Sequence, residues 1–209
     1  MTIPDSLTVT GLRTAVTRVL PHMAADWDLY LDVLMLDSDG THLYVVATDK
    51  HTLAVGRAAV AGVGAAWSVC LGSAEADGLG RFLGRTDSRD PVTLRPIETG
   101  DETTLRVSGR HDDASFLTTG DHDFPDWRAV VAKALSRPVS DEPAALTLEL
   151  LQRWAVVGGG ITFHPRGASA PLLVTADDFI GLQMTRRRDT SDSGLDLWHR
   201  AVTGAAKAA

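Results

Sequence analysis

Apolar and polar positions along this chain follow two periods that trade places in a fixed order. Leu7-Thr8-Val9 alternates as a short strand does, and Leu12, Ala15, Val16 and Val19 then recur at helical spacing, with Arg13, Thr14, Thr17 and Arg18 on the other side. Pro21 ends or kinks that helix, because proline lacks the N–H a helix interior needs and its ring crowds the preceding turn. Three strand-like runs follow: Leu29 to Leu36, closed by an Asp37-Ser38-Asp39-Gly40 turn; Leu43 to Ala47; and Thr52 to Val60, with Asp49-Lys50 turning between the last two. The predicted order is strand, helix, strand, strand, strand.

The same order then returns. Trp67 to Leu71 reads as a strand, Ser73 as an N-cap with Glu75 and Asp77 near the helix start, and Leu79, Phe82 and Leu83 as a buried stripe. Val92 to Ile97, Thr104 to Val107 and Ala114 to Thr118 complete the second unit. From Gly120 to Pro143 the chain reads as a connector, with Trp127 to Leu135 forming a helical turn or two. A third unit resumes with Leu146-Thr147-Leu148 as a candidate strand, and Leu150, Leu151, Trp154 and Ala155 as a helical stripe. Its remaining strands are Ile161 to His164, Leu172 to Thr175 and Phe179 to Met184, and no fourth copy is legible. The expected organisation is a complete two-unit domain over 1–119, a connector over 120–143, a half domain over 144–188, and a flexible polar and Ala-rich tail over 189–209.

Composition narrows the class. In 209 residues, 44% hydrophobic and 22% charged is the balance of a chain able to bury a core. The single cysteine, Cys70, lies in an apolar run and reads as a small buried hydrophobe. No stretch approaches the roughly 20 apolar residues that span a bilayer, and the first residues lack signal-peptide character, so a cytoplasmic protein away from membranes is expected. The net charge of −7 argues against a protein that coats nucleic acid, since that binding comes from many Lys and Arg neutralising phosphates.

Three short segments carry a resemblance: Val46-Ala47-Thr48-Asp49-Lys50-His51-Thr52-Leu53-Ala54, then Asp123-Phe124-Pro125-Asp126-Trp127-Arg128, then Phe179-Ile180-Gly181-Leu182-Gln183-Met184-Thr185-Arg186. In this order they resemble the "ATDGHRLA", "FPDYR" and "YxxxxMPMR" motifs of the bacterial β sliding clamp, the DNA polymerase III β subunit. The resemblance spans roughly residues 5 to 187 in a shortened form. It implies an α+β DNA-clamp (processivity) fold of repeated βαβββ units, with helices inside and sheets outside a ring. It also implies a non-enzymatic function: encircling duplex DNA as a homo-oligomer, and recruiting DNA polymerase or other replication and repair proteins that carry a clamp-binding motif. A clamp loader and nucleoid association belong to the same expectation.

The family's helices line the hole of the ring. Carried over, Arg13, Arg18, Arg81, Arg85 and Arg153 face DNA; read without the resemblance, they are solvated arginines on amphipathic helices. The family's peptide pocket maps onto Thr48, Lys50, His51, Thr52, Leu53, Pro125, Val130, Leu182 and Met184. Lys50 stands for the usual Gly, Thr52 for Arg, Ala129 for a basic residue and Thr185-Arg186 for Pro-Met, so partner choice is expected to differ. The alternative is that these are core strand ends around a dead pocket. In the tail, Gly194-Leu195-Asp196-Leu197-Trp198 resembles the short clamp-binding peptide Q-L-S/D-L-F, with Leu195, Asp196, Leu197 and Trp198 as its core; a terminal helix packed on the body is the plain alternative.

Catalytic readings find little. Gly158-Gly159-Gly160 follows a helix and reads as its stop. Asp112-Asp113, Asp121-His122-Asp123 and Asp177-Asp178 lie in expected turns, so neither a metal nor a cofactor is expected. Family rings hold twelve units; three per chain calls for a tetramer, and a shortened complete C-terminal domain would call for a trimer. The rival reading is a non-encircling peptide-binding adaptor or inhibitor, autoinhibited by its own tail.

Overall fold

The computed structural model describes residues 6–24, 31–120, 123–142, 144–167 and 169–186. Unit 1 is β1 (Leu7–Thr10), α1 (Leu12–Val19), a 3-10 turn over Leu20–His22, β2 (Val33–Asp39), β3 (His42–Thr48) and β4 (Thr52–Val60). Unit 2 repeats it as β5 (Ala66–Gly72), α2 (Ser73–Gly84), β6 (Val92–Thr99), β7 (Glu102–Ser108) and β8 (Asp113–Leu117). The connector holds α3 (Trp127–Leu135). Unit 3 has α4 (Leu148–Arg153), a 3-10 turn over Trp154–Val157, β9 (Thr162–His164), β10 (Leu172–Ala176) and β11 (Phe179–Gln183).

Among the described residues eleven strands join one antiparallel sheet: eight run in the order β5-β2-β3-β4-β1-β6-β7-β8, and β11, β10 and β9 branch from β4. Each unit lends its first strand to the other: β1 pairs with β6, and β5 pairs with β2. That exchange buries an edge of both units at once. β4 is the branch point. Its residues 52–56 pair with β11, while Ala59 and Val60 pair with β1, so unit 3 joins the sheet along β4.

The faces of the sheet are covered differently. α1 and α2 lie on one face and bury Leu12, Ala15, Val16, Val19, Ala76, Leu79, Phe82 and Leu83 against Leu34, Leu36, Leu43 and Val45. Trp154 and Val157 of unit 3 enter the same core. On the opposite face α3 places Trp127, Val131 and Ala134 over Val46, Leu53, Val55, Leu173 and Leu182. Two glycines set how closely the helical segments approach. A Cβ on Gly56 would sit 2.9 Å from the Ala15 Cα, and one on Gly181 would sit 2.4 Å from the Trp154 ring.

Several local expectations change. Asp37 and Ser38 are buried β2 residues, and the turn lies at Asp39–Gly40, where Asp39 accepts the N–H groups of Thr41 and His42. Ser73 is the first residue of α2 and makes no cap; Gly72 precedes it. The connector helix is a full nine residues. The strand expected at Leu146-Thr147-Leu148 is reduced to a single bridge, Ala145 to Arg186, and Leu148 already opens α4. Among the described residues no helix is long and apolar enough to cross a membrane.

Candidate functional site

The turn between β3 and β4 is built around one carboxylate. Asp49 Oδ1 accepts the N–H groups of His51 (3.0 Å) and Thr52 (2.6 Å) and the Thr52 hydroxyl (2.9 Å), the pattern by which Asp replaces backbone partners in tight turns. Its Oδ2 accepts from Arg153 Nη1 at 2.5 Å. Burial pushes the Asp49 carboxyl's pKa up; the Thr52 amide, Arg153 and the Thr52 hydroxyl together outweigh it and hold the group below the usual carboxylate range. Lys50 takes the left-handed conformation, φ 72°, where the clamp motif has Gly.

α3 is fixed beside this turn by the connector motif. Asp126 caps the helix, accepting the Ala129 N–H at 3.0 Å. Trp127 turns its ring onto Tyr44, centroids 5.1 Å apart, and its indole N–H donates to Asp37 at 2.9 Å. Arg128 pairs with the same Asp37 carboxylate and lies over the Trp127 ring at 4.3 Å. The third element arrives through β11, whose exit is tied by the Met184 N–H donating to the His51 carbonyl at 2.7 Å.

Between these elements lies a cavity of about 160 Å³. Thr48, Lys50, His51, Thr52, Leu53, Pro125, Val130, Leu182 and Met184 all line it, and Leu31, Trp127 and Pro171 complete the wall. The volume is of the order that accepts one benzene-sized apolar group. Thr48 offers little to a ligand, because its hydroxyl already donates to the Thr52 carbonyl at 2.7 Å. Val130 and Met184 are 44% and 47% exposed, so apolar surface stands open at the mouth beside exposed Lys50 and His51. Of the three wall residues missed in the sequence, Trp127 was inside the quoted motif, Leu31 lay in the run read as a strand over Leu29 to Leu36, and Pro171 carried no signal beyond bordering a strand.

His22 went unnoticed and sits behind the turn. It is fully buried, its ring 4.2 Å from that of Trp154, and neither ring nitrogen bonds a described residue. Burial first, then Arg153, pull its pKa down to about 4, against a smaller opposing pull from Asp49. Trp154 is held in turn by its indole N–H donating to Gln183 Oε1 at 2.7 Å.

Of the arginines, Arg81 is exposed on α2 and Arg85 is exposed just past its end, over the Phe82 ring. Arg13 donates to the Thr86 carbonyl (2.6 Å) and Arg18 to that of Asp177 (2.8 Å). Arg153 is bound to Asp49 and, at 3.3 Å, to the Thr52 hydroxyl. The tail motif Leu195, Asp196, Leu197 and Trp198 lies outside the described residues.

No protein-family profile matches the chain, and no curated protein sequence matches it. Solved structures do. A DNA polymerase sliding clamp from Bacillus subtilis superposes with a TM-score of 0.70 at 14% identity, covering 90% of this chain and 66% of that one. A sliding clamp from Pseudomonas aeruginosa gives 0.68 at 18% identity, over 90% and 67%. The DNA polymerase III β subunit from Thermotoga maritima gives 0.64 at 12% identity, over 89% and 66%. The chain therefore has the sliding-clamp fold, and it spans about two thirds of the length of these clamps.

Proposed function

We propose that this protein is a DNA sliding clamp: a closed homo-oligomeric ring that encircles duplex DNA and holds replication or repair proteins by short apolar peptides. The observation that carries the reading is the cavity where the β3–β4 turn, α3 and β11 meet, in a chain with the clamp fold. Leu53, Pro125, Val130, Leu182 and Met184 offer an apolar seat for a partner's Leu and aromatic side chains, and Met accommodates several sequences. A tethered polymerase gains a high local concentration at the primer end without new contacts to DNA.

In this reading the helices α1 and α2, which pack against each other, face the hole of the ring with Arg13, Arg18, Arg81 and Arg85. There the arginines make weak, mobile phosphate contacts, compatible with a net charge of −7. Arg153 joins them only with the N–H groups left over from Asp49. A non-encircling adaptor is the second reading, favoured by Arg13, Arg18 and Arg153 each bonding within the chain.

Two measurements test these readings. A Q-L-D-L-F peptide is titrated against the whole chain and against residues 1–188. Binding supports recruitment, stronger binding without the tail adds self-occlusion by Leu195 to Trp198, and no binding to either sinks the pocket. Retention on closed circular DNA is then compared with retention on the linearised molecule. Loss from linear ends alone supports encirclement; equal loss leaves the adaptor.

A further inference from the structure

One residue at the mouth of the cavity holds a backbone conformation that suits its residue type poorly. Lys50 has φ 72°, and the other non-glycine residue in the left-handed region, among the described residues, is Asp178 at φ 53°. Asp tolerates that region because its short side chain can bond locally, whereas the Cβ of a lysine crowds the backbone that glycine would leave open. The turn closes without this side chain. Asp49 accepts the His51 and Thr52 N–H groups, the Asp49 N–H donates to the Thr52 carbonyl at 3.2 Å, and the Lys50 backbone N–H reaches the Thr48 hydroxyl at 3.4 Å.

Such strain persists where the side chain has a use, and ligand clamps are a common one. Lys50 is exposed and lines the cavity. Of the twelve lining residues it is the one with a fixed charge; His51 beside it is the one other group that takes a positive charge, and none is acidic. That runs against the balance of the chain, which carries 27 Asp and Glu to 20 Lys and Arg. Two carboxylates that adjoin lining residues are engaged elsewhere: Asp49 in its turn and with Arg153, Asp126 in capping α3. The mouth is an apolar seat edged by a lysine.

We propose that Lys50 is the specificity-determining residue of this cavity, selecting partner peptides that carry a carboxylate beside their apolar anchors. The inference rests on the peptide recruitment proposed above and names the class of peptide. The anchors supply most of the affinity, through Leu and aromatic surface buried on Leu53, Pro125, Leu182 and Met184. The ammonium supplies discrimination, because a peptide with a neutral residue in the same place buries as much apolar surface but forgoes the charge-assisted bond. Three N–H donors on a flexible stem let one lysine serve a peptide carboxylate along with an acceptor of its own chain. By sequence, the chain's own Leu195-Asp196-Leu197-Trp198 belongs to the same class.

The test is titration of the whole chain, and of its Lys50→Gly and Lys50→Glu variants, with two peptides acetylated and amidated at their ends: Q-L-D-L-F and its uncharged isostere Q-L-N-L-F. In about 50 mM salt the parent is expected to bind the Asp peptide about three- to fivefold more tightly, with the ratio closing toward one as added salt screens the pair. Lys50→Gly is expected to bring the ratio to one and to raise Tm, since glycine meets this φ without strain. Lys50→Glu is expected to invert the preference. A tail that competes for the cavity weakens both peptides by one factor and leaves the ratio as it is. Equal binding of the two peptides by the parent keeps recruitment and overturns the inference, as does an Asp preference that survives in Lys50→Gly. A lowered Tm in Lys50→Gly assigns the lysine to the turn and also overturns it. Binding of neither peptide removes the recruitment reading itself, and the inference with it.

Discussion

Arg153 of α4 donates to Asp49 of the β3–β4 turn across 2.5 Å, and this pair joins unit 3 to the wall of the cavity. Asp49 is only 10% exposed at its side chain, so its carboxylate is partnered where water reaches poorly. Removing Arg153 leaves that charge to the turn's own N–H groups. Arg153→Met is expected to lower stability by about 2 kcal/mol and to loosen the turn, read as a lower Tm and faster exchange of the His51 and Thr52 amides. A role confined to phosphate contact would leave both unchanged and move only the salt dependence of DNA binding.

Asp37 holds the connector helix from below, accepting from the Trp127 indole and pairing with Arg128. Asp37→Ala leaves a buried indole N–H without its acceptor, at a cost of about 1–3 kcal/mol. Asn restores an acceptor for Trp127 but not the charge for Arg128. The expected order of Tm is Asp37, then Asn, then Ala, with peptide affinity falling in the same order because Val130 and Trp127 shift with α3.

His22 makes stability depend on pH. Its folded pKa of about 4 lies below the ordinary 6.5, so the folded state keeps the ring neutral while the unfolded chain takes a proton. Above pH 6.5 the group contributes nothing to the slope. Between 6.5 and about 4 stability falls as pH falls, by up to about 1.4 kcal/mol per pH unit and about 3 kcal/mol in all. Urea midpoints measured over this range, compared with His22→Phe, are expected to show the variant's slope flattened.

Met184 and Val130 stand at the mouth of the cavity with nearly half their surface exposed, so polar replacements there barely touch the core. Met184→Asp and Val130→Asp are each expected to weaken a Q-L-D-L-F peptide at least tenfold, about 1.4 kcal/mol, with a Tm within a few degrees of the parent. Leu182→Ala, at a buried site, is expected to lower Tm as well, because it opens a hole shared by core and cavity.

Periodicity and turn chemistry are local, and they made most strands and helices legible. The alternation in Leu43 to Ala47 and Thr52 to Val60 placed β3 and β4, and the stripe Leu12, Ala15, Val16 and Val19 placed α1. The motif strings marked the side chains that the fold gathers around the cavity, because a family's strings preserve the short stretches that meet in space. What the strings could not convey was the surrounding support. Asp37 looked like a turn residue because Asp-Ser-Asp-Gly is turn chemistry; only the approach of Trp127 and Arg128, some ninety positions later, makes a buried strand carboxylate tolerable. Arg153 was expected to face DNA or, without the resemblance, to be a solvated helix arginine; its bond to Asp49 emerges only where α4 lies beside the β3–β4 turn.

The sequence by itself determined the order of most strands and helices and the apolar stripes of α1 and α2, since those follow from spacing along one element; the stripe expected over Leu150, Leu151, Trp154 and Ala155 did not form, because α4 buries no residue and Trp154 enters the core from the 3-10 turn after it. Tertiary structure alone decided which edges pair. β1 and β5 cross between units, β4 divides its length between β1 and β11, and the expected strand at Leu146-Thr147 leaves, among the described residues, only the single bridge of neighbouring Ala145 to Arg186. A strand exists only where another backbone accepts its hydrogen bonds, and that partner lies far along the chain or on another molecule.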